Sequence, residues 1–395
     1  MSFFNNAKSV LQQNIREYGM YIALFVIMII FTITTEGTFL SSRNIVNLVN
    51  QTGYIAVLAV GMTLVIIIRH IDLSVGFLAG FMGAVAAIAL VFWGLPVYAV
   101  IPMVLALGVV AGLITAFLVA QMKIPSFVAS LAGWLIYRGA ILVVTESTGT
   151  IIIPDEAFNA IGNGFIPDIP GLEAFLPGVH KLTLILGALA VVLLILNELN
   201  DRRKKQSYHF EVLPIDMFIL KLVFMAALIG GITWVLAGYQ GLSWTAVVVL
   251  AVTLIYNFVM SQTVLGRHIY AIGGNPDAAE LSGISVKKLI YVVFGSMGML
   301  SALSGILFAS RLQSATTTAG NLFELDAIAA TYVGGVSAAG GVGKVVGSII
   351  GALVMTSLTS GMNLMGIGIS YQYMVRGAVL AAAVIFDVTT RSRGK

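Results

Sequence analysis

Two long apolar segments decide the fold class of this chain: GYIAVLAVGMTLVIIIR over residues 53–69 and LSVGFLAGFMGAVAAIALVFW over residues 73–93. Each is long enough to cross the hydrocarbon core of a bilayer as an α-helix, for which about 17–25 mainly apolar residues are needed. Only a few residues separate the two segments. The stretch therefore predicts two neighbouring transmembrane helices joined by a short connection.

The composition extends this prediction to the whole chain. Of its 395 residues, 59% are hydrophobic and only 10% are charged, whereas soluble domains carry about 25% charged residues. We therefore expect one all-α domain over residues 1–395, a polytopic helical bundle in the lipid bilayer. The absence of cysteine excludes disulfides and thiolate metal sites. Basic residues lie between the apolar segments and form no continuous patch, so no nucleic-acid partner is expected.

Further apolar runs predict about twelve transmembrane helices in all. Their approximate bounds are 19–34, 53–69, 73–93, 97–121, 125–145, 180–198, 215–236, 243–261, 289–309, 326–339, 345–364 and 370–388. The tenth run is short and rich in glycine, which is typical of a broken or re-entrant helix. Residues 1–18 precede the first run, and no small-residue cleavage site follows it, so we interpret it as an uncleaved first helix.

The distribution of Lys and Arg predicts the orientation of the bundle. When the N-terminus is placed inside, most basic residues of the loops fall on the cytoplasmic side. Three fall outside: Arg43, Lys181 and Arg311. This is the positive-inside pattern of membrane proteins, so both termini and the loop 262–288 are predicted to be cytoplasmic. The longest outer loop, 146–179, is acidic; we expect it to be solvated, and docking of a partner protein is the alternative.

Two similar motifs suggest an inverted repeat. Gly108-x-x-x-Gly112 is followed by Arg138-Gly139-Ala140, and Gly347-x-x-x-Gly351 by Arg376-Gly377-Ala378 at nearly the same distance. The two copies are offset by an odd number of predicted spans, so they would have opposite topology. Inverted repeats are common in transporters, where the substrate path lies at their interface. The segment 180–240 has no counterpart and predicts a two-span insertion. Chance similarity between short apolar sequences is the alternative.

No motif in the sequence indicates catalysis or nucleotide binding. Gly340–Lys344 resembles the end of a phosphate-binding loop, but Ala338 replaces its first glycine and Val345 follows the lysine where Ser or Thr would reach Mg²⁺. The four histidines lie far apart and predict no metal site. We therefore expect neither enzyme activity nor a cofactor in this chain. If ATP drives it, ATP and Mg²⁺ bind another polypeptide.

Five polar residues within or near the predicted spans are candidates for a translocation pathway: Asp72, Ser74, Asn257, Asp326 and Gln372. Charges at membrane depth are costly and face a cavity or a partner. For Asp72 and Asp326, capping of a helix N-terminus is the alternative that we favour. We expect Glu324 at the outer surface, and Arg138 and Arg376 at helix ends or paired with a carboxylate. Carboxylates near span ends argue against an ion-coupled carrier and suit a polar sugar pathway.

The polar segment 267–283 contains one short amphipathic helix. Asn275 can cap this helix, Pro276 is favoured at the first helical position, and Asp277 suits the helix dipole. A helix of this length is marginal alone in water, so it needs a docking surface, either on its own neighbours or in a groove of a cytoplasmic motor subunit. The predicted ATPase-coupling residues are Gly274, Asn275, Pro276, Asp277, Ala278, Ala279 and Leu281.

The stretch Gly266–Ala279 resembles the signature of permease subunits of bacterial monosaccharide ABC importers, the ribose, xylose and galactose class. Five further stretches resemble this class in the expected order: 71–76, 124–127, 324–330, 340–343 and 371–378. The resemblance covers most of the chain. The extra length around 180–240 is similar to the longer xylose-type and multiple-sugar permeases.

The resemblance implies a homodimeric pore in the bacterial inner membrane for a pentose or hexose such as xylose. It also implies a tandem-domain ATPase on the cytoplasmic side and a sugar-binding protein that delivers the ligand outside. The segment 267–283 would then include the coupling helix that contacts the ATPase. An ion-coupled secondary sugar transporter built on the inverted repeat is the alternative.

Overall fold

The computed structural model describes residues 15–171, 176–210 and 212–392. Most of the predicted N-terminal segment 1–18 lies outside these residues. The described chain is helical, with fifteen α-helices: α1 Ile15–Thr34, α2 Ser42–Ile67, α3 Val75–Val91, α4 Val97–Ala120, α5 Ser126–Thr145, α6 Glu156–Asn163, α7 Lys181–Ser207, α8 Ile215–Ala237, α9 Trp244–Gln262, α10 Val264–Gly274, α11 Pro276–Leu281, α12 Val286–Leu312, α13 Phe323–Val333, α14 Val345–Leu364 and α15 Ile369–Ser392. Two short strands, β1 Ile151–Ile152 and β2 Ser314–Ala315, pair antiparallel. The predicted helical class is confirmed.

Nine of the described helices are long and apolar enough to cross a membrane. These are α2, α4, α5, α7, α8, α9, α12, α14 and α15, while α3 and the apolar part of α1 are shorter. The predicted tenth span corresponds to α13, which ends at Val333 before the pair Gly334 and Gly335. Its 11 residues cover about 16 Å, roughly half of the hydrocarbon thickness. The count of twelve spans therefore stays a prediction.

Helices α2, α12 and α14 form the centre of the bundle. The buried share of the apolar window is 89% in α2, 83% in α14 and 72% in α12, against 6% in α8 and α15. Glycines bring the neighbouring helices close to α12: a Cβ at Gly298 would collide with the carbonyl oxygen of Gly108 on α4, and one at Gly83 on α3 would lie 2.9 Å from that of Gly305. Small residues at such contacts allow membrane helices to approach closely.

The two glycine motifs of the predicted repeat both pack on backbone, but on different partners. Gly112 lies against the carbonyl of Phe294 on α12, whereas Gly351 lies against the carbonyl of Ala330 on α13. The two Gly-x-x-x-Gly motifs therefore pack on helices that are not shown to correspond to each other in the two halves of the chain. The inverted repeat stays a prediction.

The predicted two-span insertion, 180–240, corresponds to a helical hairpin of α7 and α8 at the edge of the bundle. Gly187 of α7 packs directly on Thr233 of α8. Lys221 and Glu198 form an ion pair between the two helices at 2.8 Å. Only 11% of the apolar window of α7 and 6% of that of α8 are buried. The remaining apolar surface of the hairpin suits contact with lipid.

The described part of the loop that we predict to lie outside, 146–171 and 176–179, contains folded structure, and its solvation stays a prediction. Asp155 caps α6 by accepting a hydrogen bond from the Phe158 backbone at 2.8 Å, and the Phe158 side chain is fully buried. The amide of Asn163 donates to the carbonyl of Ser310 at 2.8 Å. The loop packs on the end of α12 because α6 has one apolar face that burial stabilises.

Asp168 fastens the second half of this loop to the start of α7. Its Oδ1 accepts hydrogen bonds from the backbone of Ile169 and Leu182, both at 2.9 Å, and its Oδ2 lies 3.6 Å from Lys181 Nζ. Partial burial alone would raise the pKa of the Asp168 carboxyl. Hydrogen bonds from three backbone N–H groups outweigh this effect, together with the nearby His180, and hold that pKa well below its usual range.

Candidate coupling and translocation sites

The short helix α11 has the capping that its sequence predicts. Asn275 Oδ1 accepts hydrogen bonds from the backbone of Asp277 and Ala278, both at 3.1 Å, and Pro276 occupies the first helical position. These contacts satisfy donors that a helix N-terminus otherwise leaves open. Gly283, with φ of 85°, follows the helix in the left-handed region that favours glycine. The turn is therefore specified locally at both ends.

One face of α11 is packed and the other is open. Ala279 is 4% exposed, whereas Leu281 is 91% exposed, more than any other large hydrophobic side chain among the described residues. Docking on the protein's own helices therefore explains only the Ala279 face. The open leucine is an apolar group on a polar segment, and in this conformation it is accessible for contact with a partner.

The ends of α2 and α10 meet the glycine loop 340–343 beside this helix; we call this meeting point the cytoplasmic junction. Arg69 Nε donates to the Gly273 carbonyl at 2.7 Å, and Arg69 Nη2 donates to the Gly274 carbonyl. The Gly341 backbone donates to the Ile67 carbonyl at 2.9 Å. The junction thus joins three segments that are far apart in sequence.

The glycine loop has a packing role in this junction. Gly340 and Gly341 have φ angles of 81° and 73°, which a residue with a Cβ adopts only with strain. The Gly343 carbonyl accepts a hydrogen bond from the Tyr270 hydroxyl at 2.7 Å. The Gly341 N–H donates to the Ile67 carbonyl, so this backbone donor of the loop is used within the junction.

Asp72 and Ser74 form a turn that leads into α3. Asp72 Oδ1 accepts hydrogen bonds from the Ser74 backbone at 2.9 Å and from Ser74 Oγ at 2.6 Å. The two residues are only 3% and 1% exposed. The arrangement is the local side-chain-to-backbone turn typical of helix starts. Both side chains therefore form hydrogen bonds within this turn.

Asp326 and Gln372 lie in polar contacts that join α13, α14 and α15. Arg376 Nη1 lies 3.1 Å from Asp326 Oδ2, and Arg376 Nη2 donates to Thr359 Oγ1 at 2.9 Å. Gln372, one turn before Arg376, donates to Asn363 Oδ1 at 2.7 Å. Arg376 thus pairs with a carboxylate, as predicted.

Asn257 is the fifth candidate for the pathway. It is half-buried on α9, where its backbone carbonyl accepts a hydrogen bond from Ser261 Oγ at 2.6 Å. Within the described parts of the chain, no hydrogen bond joins it to the other four candidates. Hydrogen bonds therefore do not connect the five residues into one network.

Glu324 is buried, and the expectation of a surface position was wrong. It is 4% exposed, and its Oε1 accepts a hydrogen bond from Trp134 Nε1 on α5 at 3.0 Å. Its Oε2 packs against Gly76 of α3. Helix α13 begins inside the bundle because the preceding chain packs on the face of α3 formed by Gly76 and Gly80. Trp134 was not among the residues predicted from the sequence, because nothing in the spacing of the two residues brings it next to Glu324.

Arg138 also lies on α5, one turn after Trp134. Its Nη1 donates to the Thr317 carbonyl at 2.7 Å, and its guanidinium lies 5.0 Å from the centre of the Phe77 ring. It fixes the turn before α13, and not the helix end or the carboxylate that the sequence led us to expect. Across the described residues, no group of three or more His, Asp or Glu is placed to hold a metal ion.

These features define a class of protein: a polytopic helical membrane protein with a capped helix presented on its predicted cytoplasmic side. A protein-family profile described as the permease component of a branched-chain amino acid transport system matches residues 44–384, and the chain belongs to this family. No solved structure matches the chain significantly.

Curated relatives extend over nearly the whole chain. The xylose transport system permease protein XylH of Haemophilus influenzae is 40% identical over 96% of this chain and 98% of the relative. XylH of Escherichia coli is 38% identical over 99% of this chain and 95% of the relative. The ribose import permease protein RbsC of Haemophilus influenzae is 34% identical over 94% and 93%. The predicted resemblance to monosaccharide ABC importer permeases is confirmed, and an ion-coupled carrier is not favoured.

Proposed function

We propose that this chain forms the membrane pathway of an ATP-driven monosaccharide importer and that its cargo is xylose. Relatives that are 38–40% identical over nearly their full length are named as xylose permeases, while the ribose permeases are 34% identical. The longer chain, with its α7–α8 hairpin, is also what the sequence led us to expect of the xylose type. The protein is a multi-pass component of the bacterial inner membrane, and both termini are proposed to be cytoplasmic.

The observation that carries the coupling mechanism is the open face of α11. The Asn275 cap gives this six-residue helix a defined shape, while Leu281 stays 91% exposed. We assign Gly274–Ala278 and Leu281 to contact with a groove of a tandem-domain ATPase, the subunit that holds ATP and Mg²⁺, whereas the predicted coupling residue Ala279 is buried against the protein's own helices. Burial of one leucine stabilises such a contact by about 1.5–3 kcal/mol.

The pore requires a second copy of the chain. The apolar windows of α5 and α15 are only 17% and 6% buried, and both helices carry polar side chains: Trp134 and Arg138 on α5, Gln372 and Arg376 on α15. Hydroxyl groups of a sugar need such donors and acceptors. We propose that α5 and α15 face the same helices of a second copy and that Asp72, Ser74, Asn257, Asp326 and Gln372 contribute to the pathway as the helices move.

The transport cycle follows from this arrangement. A sugar-binding protein releases its ligand into the cavity between the two copies at the outer side, where the folded segment 146–171 is a surface on which it could dock. ATP-driven closure of the ATPase moves α11 on each copy. The bundle then opens inward. The permease itself supplies no chemical step.

The helix assignment is tested with Leu281→Ser and, as a control, Leu40→Ser, a second exposed leucine in the 3-10 helix Thr38–Leu40. We expect Leu281→Ser to weaken ATPase binding about ten- to hundredfold, as loss of one buried leucine requires, and Leu40→Ser to leave it unchanged. Replacement of Pro276 or Asp277 should uncouple ATP hydrolysis from xylose uptake while the dimer still assembles. Normal binding and coupled uptake in all of these variants would reject the assignment of α11.

A further inference from the structure

We propose that Arg69 is the positioning residue that links the coupling helix α11 to the central helix α2, an inference that rests on the function proposed above. The residue follows α2 at its predicted cytoplasmic end and is one corner of the cytoplasmic junction. Its backbone forms the turn that ends α2, and its side chain binds the chain directly before α11. Three independent features of the junction support this role.

The backbone of Arg69 has a conformation that usually belongs to glycine. Its φ is 64°, and its N–H donates to the Ile66 carbonyl at 2.9 Å, while the His70 N–H donates to the Val65 carbonyl at 3.0 Å. This pair of bonds is the Schellman motif, in which glycine is the favoured residue at the left-handed position. A side chain there costs free energy, so the position is explained better by what the arginine binds than by the turn.

The side chain of Arg69 holds the end of α10. The planar guanidinium donates to two successive carbonyls, Gly273 at 2.7 Å and Gly274, and these are among the acceptors that a helix C-terminus leaves unpaired. Its positive charge also suits the negative end of the helix dipole. The next residue, Asn275, caps α11. A single side chain therefore fixes the distance between the end of α2 and the start of the coupling helix.

Close backbone contacts make this junction stiff. A Cβ at Gly273 would collide with the Ile67 carbonyl oxygen, and one at Gly340 with the Arg69 side chain. The glycine loop continues into α14, whose Ser348 Oγ is hydrogen-bonded to Thr63 Oγ1 of α2 at 2.5 Å. Because α2 is the most buried of the long apolar helices, a displacement of Arg69 is transmitted to the helices at the centre of the bundle. Displacement of α11 thus moves α2 and α14 together.

The test compares Arg69→Gly with Lys123→Gly in the assembled importer with its ATPase and receptor in proteoliposomes. Lys123 is a matched control, since it is also a basic residue with positive φ (56°) after a helix on the same predicted side. Both changes place glycine where it is favoured, so folding is preserved. Arg69 is hydrogen-bonded to Gly273 and Gly274, directly before α11. Among the described residues, Lys123 has no hydrogen bond to this part of the chain. The readouts are ATPase binding, ATP hydrolysis and radiolabelled xylose uptake.

We expect Arg69→Gly to bind the ATPase and hydrolyse ATP normally, while xylose taken up per ATP hydrolysed falls at least about tenfold, the effect of losing one charge-assisted hydrogen bond of the two. Arg69→Lys keeps the charge but lacks the planar guanidinium that donates to two carbonyls at once, so it should give an intermediate ratio. Lys123→Gly should give the wild-type ratio. A wild-type ratio in Arg69→Gly overturns the proposal. If that variant also loses ATPase binding, the ratio is read in Arg69→Lys, where an unchanged value overturns it.

The two proposals fail in different ways. If Arg69→Gly has the wild-type ratio of xylose uptake to ATP hydrolysis while Leu281→Ser binds the ATPase weakly, only the role of Arg69 is rejected. Normal coupling in both variants rejects the coupling function of α11 itself. Loss of coupling in Arg69→Gly together with normal behaviour of Lys123→Gly is the outcome that supports the link between α2 and α11.

Discussion

Replacement of Gly112 by alanine tests the close contact between α4 and α12. The new Cβ would lie 2.8 Å from the carbonyl carbon of Phe294 and 3.1 Å from Gly295 Cα, and it would collide with the Phe294 oxygen. Carbon atoms in contact prefer a separation of about 3.5–4.0 Å. The two helices must therefore move apart by roughly 1 Å at this point, because backbone atoms cannot rotate away.

The magnitude follows from two opposing effects. Overpacking of a tight interior costs about 1–3 kcal/mol, while alanine in place of glycine stabilises a helix by up to about 1 kcal/mol. We therefore expect Gly112→Ala to lower the free energy of unfolding by about 1–2 kcal/mol. Gly139→Ala is the control, since no atom lies within 4 Å of a Cβ at this glycine of α5. It should leave stability unchanged or raise it slightly.

The assay is thermal unfolding of the two variants and the wild type in the same detergent, followed by tryptophan fluorescence. Gly112→Ala should unfold at a lower temperature than the wild type, and Gly139→Ala should not. Equal stability of the two variants would show that α4 and α12 do not approach as closely as their glycines indicate.

Two further predictions concern charged groups. Arg376→Ala leaves the Asp326 carboxylate, 19% exposed, without its partner, so we expect a loss of about 3 kcal/mol in unfolding free energy. The double variant Arg376→Ala/Asp326→Asn should recover part of this loss. Additive effects of the two changes would contradict the prediction. The pKa of Asp168 is lower in the folded state than in the unfolded state, so its stabilising effect is complete above about pH 4 and is lost as pH falls towards the folded-state pKa. Hydrogen exchange should show better protection of the Leu182 amide in the wild type than in Asp168→Asn at neutral pH, and that difference should shrink below about pH 4; a difference that does not depend on pH would refute it.

The features that sequence predicted best are those set by local chemistry. Apolar segments long enough to span a bilayer identify helices in any fold of this class, and the Asn275–Pro276 pair predicts the cap and start of α11 without knowledge of its neighbours. The hairpin of α7 and α8 is similarly visible as two apolar runs separated by a basic stretch.

Contacts between distant segments were not predictable in the same way. Arg69 reads only as a basic residue after an apolar run, since neither its left-handed backbone nor its partners on α10 follow from sequence spacing. Glu324 sits at the start of an apolar run, which suggests a surface position until the preceding chain is seen to pack on Gly76. Phe158 gives the outer loop an apolar anchor, but a single aromatic residue among polar ones does not predict burial.

The central claim is that this permease is a gate moved by a separate ATPase. The most direct measurement is xylose accumulation in proteoliposomes, with the purified chain alone and with the chain together with its ATPase, receptor and ATP. We expect accumulation only in the complete system, and none in the chain alone under an imposed proton or sodium gradient. Concentrative uptake by the chain alone would contradict the claim.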